Sequence, residues 1–138
     1  MSEITQVQSI ISPDYNYSVG KFMERFYLGL KEQKILGIRC EKCGMVYVPP
    51  RIVCFKCMKK MKDWVELEQK GELKSYSVVR VSARKEELDE PVIFGLIQLK
   101  GADSAIYGQI KGVSEDQLKP GLEMKAVWKE ERKGTVED

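Results

Sequence analysis

Apolar positions near the start of the chain recur at the three- and four-residue spacing of an α-helix. Between residues 18 and 35 this repeat is formed by Val19, Phe22, Met23, Phe26, Tyr27 and Leu30. The spacing places these side chains on one stripe, which a helix buries against its own protein or against a partner. We therefore predict a helix over residues 18–35, with Gly37 just past its C-terminus.

From residue 63 onward the pattern changes to short runs rich in β-branched and aromatic residues, which are typical of strands. Turn residues such as Pro91 and Pro120-Gly121 separate the runs, and a short helical turn is expected at residues 114–118. The predicted strands cover residues 64–68, 73–81, 92–99, 105–110 and 122–131. Five short strands with a small helical insert before the last predict a compact barrel of the OB type, and a β-sandwich fragment is the alternative.

Two Cys-x-x-Cys pairs, Cys40 with Cys43 and Cys54 with Cys57, are separated by ten residues between the helix and the strands. Each pair directs two thiolates to one side of a tight turn, and together they make the tetrahedral four-sulfur site that Zn²⁺ favours. Iron would use the same four ligands. Disulfides are disfavoured because nothing in the sequence indicates secretion. A redox function would need one exposed pair, whereas two matched pairs are present.

The chemistry available to this chain is narrow. Four thiolate ligands leave no coordination position for water, so the spacing indicates a structural metal site and not a hydrolytic one. The chain contains no histidine, which removes the commonest general base and excludes Ser-His and Cys-His nucleophile pairs. We therefore expect no catalytic residues.

These patterns divide the chain into an N-terminal helical segment (1–37), a zinc ribbon (38–62), an OB-fold barrel (63–132) and a disordered tail (133–138). No apolar run reaches the length needed to span a bilayer, and the first residues lack the features of a secretory signal. We therefore expect a cytoplasmic protein without a membrane partner.

The distribution of charge bears on nucleic-acid binding. Residues 40–62 contain six basic side chains and one acidic one, which favours a phosphate-bearing partner. The barrel disfavours it, because its central strands offer only Phe94 and Tyr107 for stacking on bases, and residues 63–138 are net acidic. Nucleic-acid binding is therefore the alternative hypothesis.

The ribbon sequence resembles a known family of rubredoxin-like zinc-ribbon and OB-fold proteins, long catalogued as a domain of unknown function. The most specific part of the resemblance is Pro49-Pro50-Arg51 between the two cysteine pairs, and the similarity covers roughly residues 15–130. Further matching positions are Ser18-Val19-Gly20, Phe26, Leu30, Gly37-Ile38-Arg39, Gly44, Val46, Trp64, Gly71, Pro91 and Pro120-Gly121.

The resemblance implies a mainly β fold with an N-terminal helix, in which a rubredoxin-like zinc ribbon precedes a five-stranded OB-type barrel. Members of the family accompany thiolases and hydroxymethylglutaryl-CoA synthases as non-catalytic acyl-CoA-binding subunits or scaffolds. The residues implied as metal ligands are Cys40, Cys43, Cys54 and Cys57. The residues implied as an acyl-CoA or partner surface are Phe22, Phe26, Pro49, Pro50 and Arg51.

That surface suits the chemistry of coenzyme A, because Arg51 could receive its anionic end while the apolar helix face receives the pantetheine arm. We therefore expect a non-enzymatic accessory protein of acyl-CoA metabolism. An acyl-CoA hydrolase or carrier with its own activity is a third hypothesis, which the absence of histidine and of a free cysteine disfavours.

Overall fold

The computed structural model describes residues 8–138, so the first seven residues of the predicted N-terminal segment lie outside it. Residues 8–19 form neither helix nor strand. None of the described helices is long and apolar enough to cross a membrane. The elements are α1 (Gly20–Lys31), β1 (Ile35–Arg39), β2 (Val46–Tyr47), β3 (Asp63–Leu67), β4 (Lys70–Val81), β5 (Glu87–Leu99), β6 (Ile106–Ile110), a 3₁₀ turn (Glu115–Gln117) and β7 (Glu123–Lys125).

The helix ends earlier than the sequence predicts. Gln33 follows it with a φ of 60°, and the amide of Lys34 donates to the carbonyl of Gly29 at 2.8 Å, which closes the last turn. The left-handed position expected at a helix end is therefore Gln33 and not Gly37. Gly37 instead lies in β1, where an added Cβ would be 3.0 Å from the carbonyl oxygen of Tyr47.

The ribbon is built on a three-stranded antiparallel sheet with the order β2-β1-β3. The first predicted barrel strand is β3, and it pairs with β1 from Ile35↔Leu67 to Arg39↔Asp63. An ion pair of 2.7 Å between Arg39 and Asp63 closes the end of this ladder. The segment that follows the ribbon in sequence is thus joined to it by backbone hydrogen bonds.

The remaining strands form a four-stranded antiparallel sheet with the order β6-β5-β4-β7, which is an OB-fold half-barrel. The strands β4 and β5 pair along most of their length, and register shifts at Leu73/Ser75 and Val79/Val81 bend the sheet. The helical turn predicted before the last strand is confirmed at Glu115–Gln117. The last strand is shorter than predicted, because only Glu123–Lys125 pairs with β4. The mainly β fold class with an N-terminal helix is confirmed.

One apolar core joins the helix, the ribbon and the OB sheet. Trp64 packs against this core and also against the cluster around the cysteines, so it connects the two. At the end of the chain, Arg132 Nε donates to the carbonyl of Lys31 at 2.9 Å, and the segment 133–138, predicted to be disordered, forms a turn in the structure. The buried members of the joining core are Phe26, Leu30, Ile35, Val48, Leu67, Leu99 and Ala102.

Candidate metal centre and ligand surface

The two cysteine pairs lie on backbone turns of the same form. In the first knuckle, which spans residues 40–45, the amide of Gly44 donates to the carbonyl of Cys40 at 2.7 Å. In the second knuckle, residues 54–59, the amide of Met58 donates to the carbonyl of Cys54 at 3.0 Å. Gly44 and Met58 both have positive φ angles, 73° and 59°. The chain therefore forms the same type of turn twice, as the repeated Cys-x-x-Cys spacing predicts.

The structure brings the four predicted ligands together. The Sγ atoms of Cys40, Cys43, Cys54 and Cys57 all lie within 4.8 Å of one another, and those of Cys40 and Cys57 are 3.5 Å apart. A tetrahedral zinc ion with Zn–S bonds of about 2.3 Å requires S···S separations of about 3.8 Å. All four are free thiols in the structure, and two are buried. The donor set and its geometry fit a structural zinc ion, which would cross-link the two knuckles.

Hydrogen bonds shift the pKa values of Cys54 and Cys43 in opposite directions. A hydrogen bond from the Tyr47 hydroxyl is the main reason that the pKa of Cys54 falls from 9.0 to about 6. A hydrogen bond with Cys57, together with burial, raises the pKa of Cys43 from 9.0 to about 12. Four thiolates at this spacing repel one another, so their joint ionisation requires a bound cation.

Tyr47 is a neighbour of the cysteine cluster that the sequence did not reveal. Its hydroxyl lies 3.3 Å from Cys54 Sγ, and its side chain is buried. The contact with Cys54 raises the pKa of the Tyr47 hydroxyl, which therefore stays protonated and donates to the thiolate. Such hydrogen bonds to ligand atoms orient the ligand and tune metal affinity. The signal available in the sequence was only an aromatic residue between the cysteine pairs.

The two helix aromatics proposed for ligand binding occupy different environments. Phe26 is 1% exposed and belongs to the joining core, so it cannot contact a ligand in this conformation. Phe22 is half-buried against the cysteine cluster, with its ring 5.0 Å from that of Trp64. Arg25, one turn along, places its guanidinium 4.9 Å from the centre of the Trp64 ring. Arg25 and Trp64 are neighbours that the sequence did not assign to this surface.

The Pro-Pro-Arg segment also divides between core and surface. Pro50 is buried, whereas Pro49 and Arg51 are exposed. The Arg51 guanidinium lies 5.7 Å from the ring centre of Tyr47, in the geometry of a cation–π contact. Phe22 and Arg51 therefore both border the cysteine cluster, Phe22 through its own packing and Arg51 through Tyr47.

Comparison with known proteins agrees with this architecture. Residues 29–59 match the family described as ChsH2, rubredoxin-like zinc ribbon domain, and residues 64–129 match ChsH2, C-terminal OB-fold domain. A DUF35 domain-containing scaffold protein from Methanocaldococcus jannaschii is 32% identical over 79% of this chain and 78% of that protein. A scaffold protein of the same description from Methanothermobacter thermautotrophicus is 27% identical over 71% and 74%.

Two solved structures share the fold. A DUF35-family protein of unknown function from Sulfolobus solfataricus has a TM-score of 0.67 and 29% identity, with 79% of each chain covered. A chain of the Ltp2-ChsH2(DUF35) aldolase has a TM-score of 0.66 and 20% identity, with 83% of this chain and 89% of that chain covered. The zinc-ribbon geometry, the OB half-barrel and these similarities together show that the chain belongs to the DUF35 family of zinc-ribbon and OB-fold proteins.

Proposed function

We propose that this protein is a non-catalytic, acyl-CoA-binding scaffold that works in the cytoplasm with enzymes of the thiolase or hydroxymethylglutaryl-CoA synthase type. The observation that carries the proposal is the similarity to the Methanocaldococcus jannaschii scaffold protein, which extends over most of both chains. The solved aldolase in which a DUF35 chain accompanies Ltp2 supports a role beside an enzyme.

The chemistry of the chain supports a role without catalysis. There is no histidine in its 138 residues, and all four cysteines belong to one cluster. A structural zinc ion held there has four thiolate ligands and no open position for a substrate or a water molecule. The metal would stabilise the ribbon as a rigid platform, since zinc binding and folding are linked in such small modules.

The surface around the cysteine cluster supports acyl-CoA binding. Arg51 supplies an exposed cation for a phosphate group, and its contact with the Tyr47 ring limits the conformations of its side chain. Phe22 and Trp64 supply half-buried aromatic surface, which suits an apolar acyl or pantetheine segment. Arg25, stacked on Trp64, adds a second cation beside that surface.

Isothermal titration calorimetry with acetyl-CoA and with a longer acyl-CoA tests this surface. We expect Arg51→Ala to weaken binding by roughly tenfold or more, because a charge-assisted contact to phosphate is lost. The matched control is Arg84→Ala, which removes an exposed arginine from the loop between β4 and β5. Equal affinity of wild type and Arg51→Ala would exclude Arg51 from the binding surface.

Nucleic-acid binding is a second candidate because the six basic side chains of residues 42–62 form no ion pair within the described part of the chain. The OB sheet argues against it. Phe94 and Tyr107 stack on each other, with ring centres 5.3 Å apart and planes 9° apart, which occupies one face of each ring. Binding to RNA or single-stranded DNA that weakens steeply with salt would favour this candidate.

A further inference from the structure

The two knuckles have the same backbone but different side chains. The residue after the first cysteine is Glu41 in the first knuckle and Phe55 in the second. The left-handed position is Gly44 in the first knuckle and Met58 in the second. Both turns belong to the same cysteine site, and the first knuckle forms its turn without an apolar side chain at either of these positions. The turn therefore does not explain why the second knuckle has Phe55 and Met58 there.

Met58 departs from what the turn favours. Its φ of 59° lies in the left-handed region, where glycine is the favoured residue and a long side chain is strained. The side chain gains no burial in return, because Met58 is 74% exposed. The same backbone conformation occurs at Gln33 and Lys85, whose side chains are polar. Met58 differs from them because it exposes a large apolar side chain.

Met58 is accompanied by other exposed apolar side chains. Phe55 is 71% exposed and Ile52 is 53% exposed. All three belong to residues 52–61, a short hairpin closed by the bridge between Val53 and Lys60. We call this segment the second-knuckle hairpin. Several exposed apolar side chains on one short hairpin are typical of a protein–protein contact site.

The charged residues of the second-knuckle hairpin are all basic. Lys56, Lys59 and Lys60 lie within it, and no acidic residue occurs between positions 42 and 62. None of these lysines forms an ion pair in the part of the chain that the structure describes. The hairpin is therefore complementary to an apolar pocket that is surrounded by carboxylates.

We infer that the second-knuckle hairpin docks into an apolar, acidic-rimmed pocket on the partner enzyme, with Phe55 and Met58 as the anchoring side chains. This inference rests on the proposed scaffold function and specifies the surface that performs it. A protein occupant is favoured over nucleic acid because two of the three exposed apolar side chains, Ile52 and Met58, have no ring on which a base could stack, and only Phe55 has one. A zinc ion bound by Cys54 and Cys57 would hold the hairpin rigid and would limit the entropy lost on docking.

The test compares the full-length wild type with Phe55→Glu/Met58→Gly, which gives the second knuckle the side chains of the first. Binding to the purified thiolase-type enzyme of the same organism is measured by calorimetry at low and moderate salt. We expect the variant to lose roughly tenfold or more in affinity, because both anchors are removed. Zinc content and melting temperature show whether the variant is folded. The matched control is Val127→Glu, which changes an apolar residue that is 82% exposed and lies outside the hairpin.

The outcomes separate the inference from the proposed function. A folded Phe55→Glu/Met58→Gly variant that binds the enzyme as tightly as wild type overturns the docking inference and leaves the scaffold function standing. A wild type that does not bind the enzyme overturns the scaffold function and with it the assigned occupant. Binding of single-stranded RNA that is lost in the variant would show that the hairpin receives a nucleic acid and would overturn the protein occupant.

Discussion

The hydroxyl of Tyr47 lies 3.3 Å from the Sγ atom of Cys54, so a buried side chain of the ribbon sheet is hydrogen-bonded to a predicted metal ligand of the second knuckle. Tyr47 itself occupies β2, directly beside the turn of the first knuckle. The contact therefore connects the two halves of the cysteine site by a route independent of the metal. Its removal should affect the metal before it affects the rest of the fold.

We predict that Tyr47→Phe lowers zinc affinity by about 10- to 100-fold, the usual effect of losing a hydrogen bond to a metal ligand. The substitution keeps the ring under Arg51 and removes only the hydroxyl. Competition with a chromophoric chelator measures the affinity. Tyr107→Phe, on the exposed face of β6, is the control. Unchanged zinc affinity in Tyr47→Phe would show that the Tyr47–Cys54 contact does not influence the metal.

The acidity of Cys54 gives a pH prediction for the metal-free protein. Its folded pKa of about 6 lies below the ordinary thiol value of 9.0, mainly because of the Tyr47 hydrogen bond. The ionised thiolate therefore contributes stability that is fully present above pH 9.0 and is lost as the pH falls through about 6. Thiolate absorbance followed during a pH titration should show one transition near pH 6, and Tyr47→Phe should move it upward. A first transition near pH 9.0 in the wild type would contradict this assignment.

A pair of glycines in the OB sheet gives a packing prediction. Gly95 and Gly108 are register partners on β5 and β6. A Cβ at Gly95 would lie 2.6 Å from Ile110 Cδ1 and 2.7 Å from Leu73 Cδ1, whereas a Cβ at Gly108 would meet no atom within 4 Å. We expect Gly95→Ala to reduce the free energy of unfolding by about 1–3 kcal/mol through overpacking. Denaturant unfolding should show little loss for Gly108→Ala, and equal losses in both variants would contradict the packing explanation.

Gly44 and Met58, the residues with positive φ in the two knuckles, give a pair of opposite stability predictions. We expect Met58→Gly to stabilise the zinc-loaded protein by up to about 1 kcal/mol, because glycine relieves the strain of positive φ. Gly44→Ala should destabilise it by about 1–2 kcal/mol, because alanine is strained at positive φ. A Cβ at Gly44 meets no atom within 4 Å, so a steric clash would not contribute. Thermal unfolding of both variants measures the changes. Destabilisation by Met58→Gly would show that its side chain supports the fold, which would remove the reason for assigning it to docking.

The sequence predicted the elements that depend on local patterns. The spacing of Cys40, Cys43, Cys54 and Cys57 was sufficient to predict that the four cysteines cluster, because each knuckle is a local turn. The helix was overextended because the sequence offers no glycine or proline between Leu30, the last residue of the apolar repeat, and Gly37. The pairing of Ile35 with Leu67, which places Ile35 in β1, is a long-range contact. Only the structure shows that this pairing ends the helix at Lys31.

Long-range packing also decides which candidate site residues are accessible. Phe22 and Phe26 lie one turn apart on the same stripe, and the pattern cannot distinguish them. Phe26 is buried because Leu67 and Leu99, residues distant in sequence, pack in the same core. Of the residues that the resemblance implies for an acyl-CoA surface, Pro49 and Arg51 are exposed and Phe22 is half-buried, next to the Arg25–Trp64 contact.

The scaffold function is tested most directly by affinity purification of the tagged wild-type protein from its own organism, at moderate salt and after nuclease treatment. Mass spectrometry then identifies the co-purifying proteins and their stoichiometry. We predict a thiolase or hydroxymethylglutaryl-CoA synthase in stoichiometric amount, retained after nuclease treatment. Recovery of ribosomal or RNA-processing proteins that are released by nuclease, with no such enzyme, would contradict the scaffold function and would identify the basic ribbon as a phosphate-binding surface.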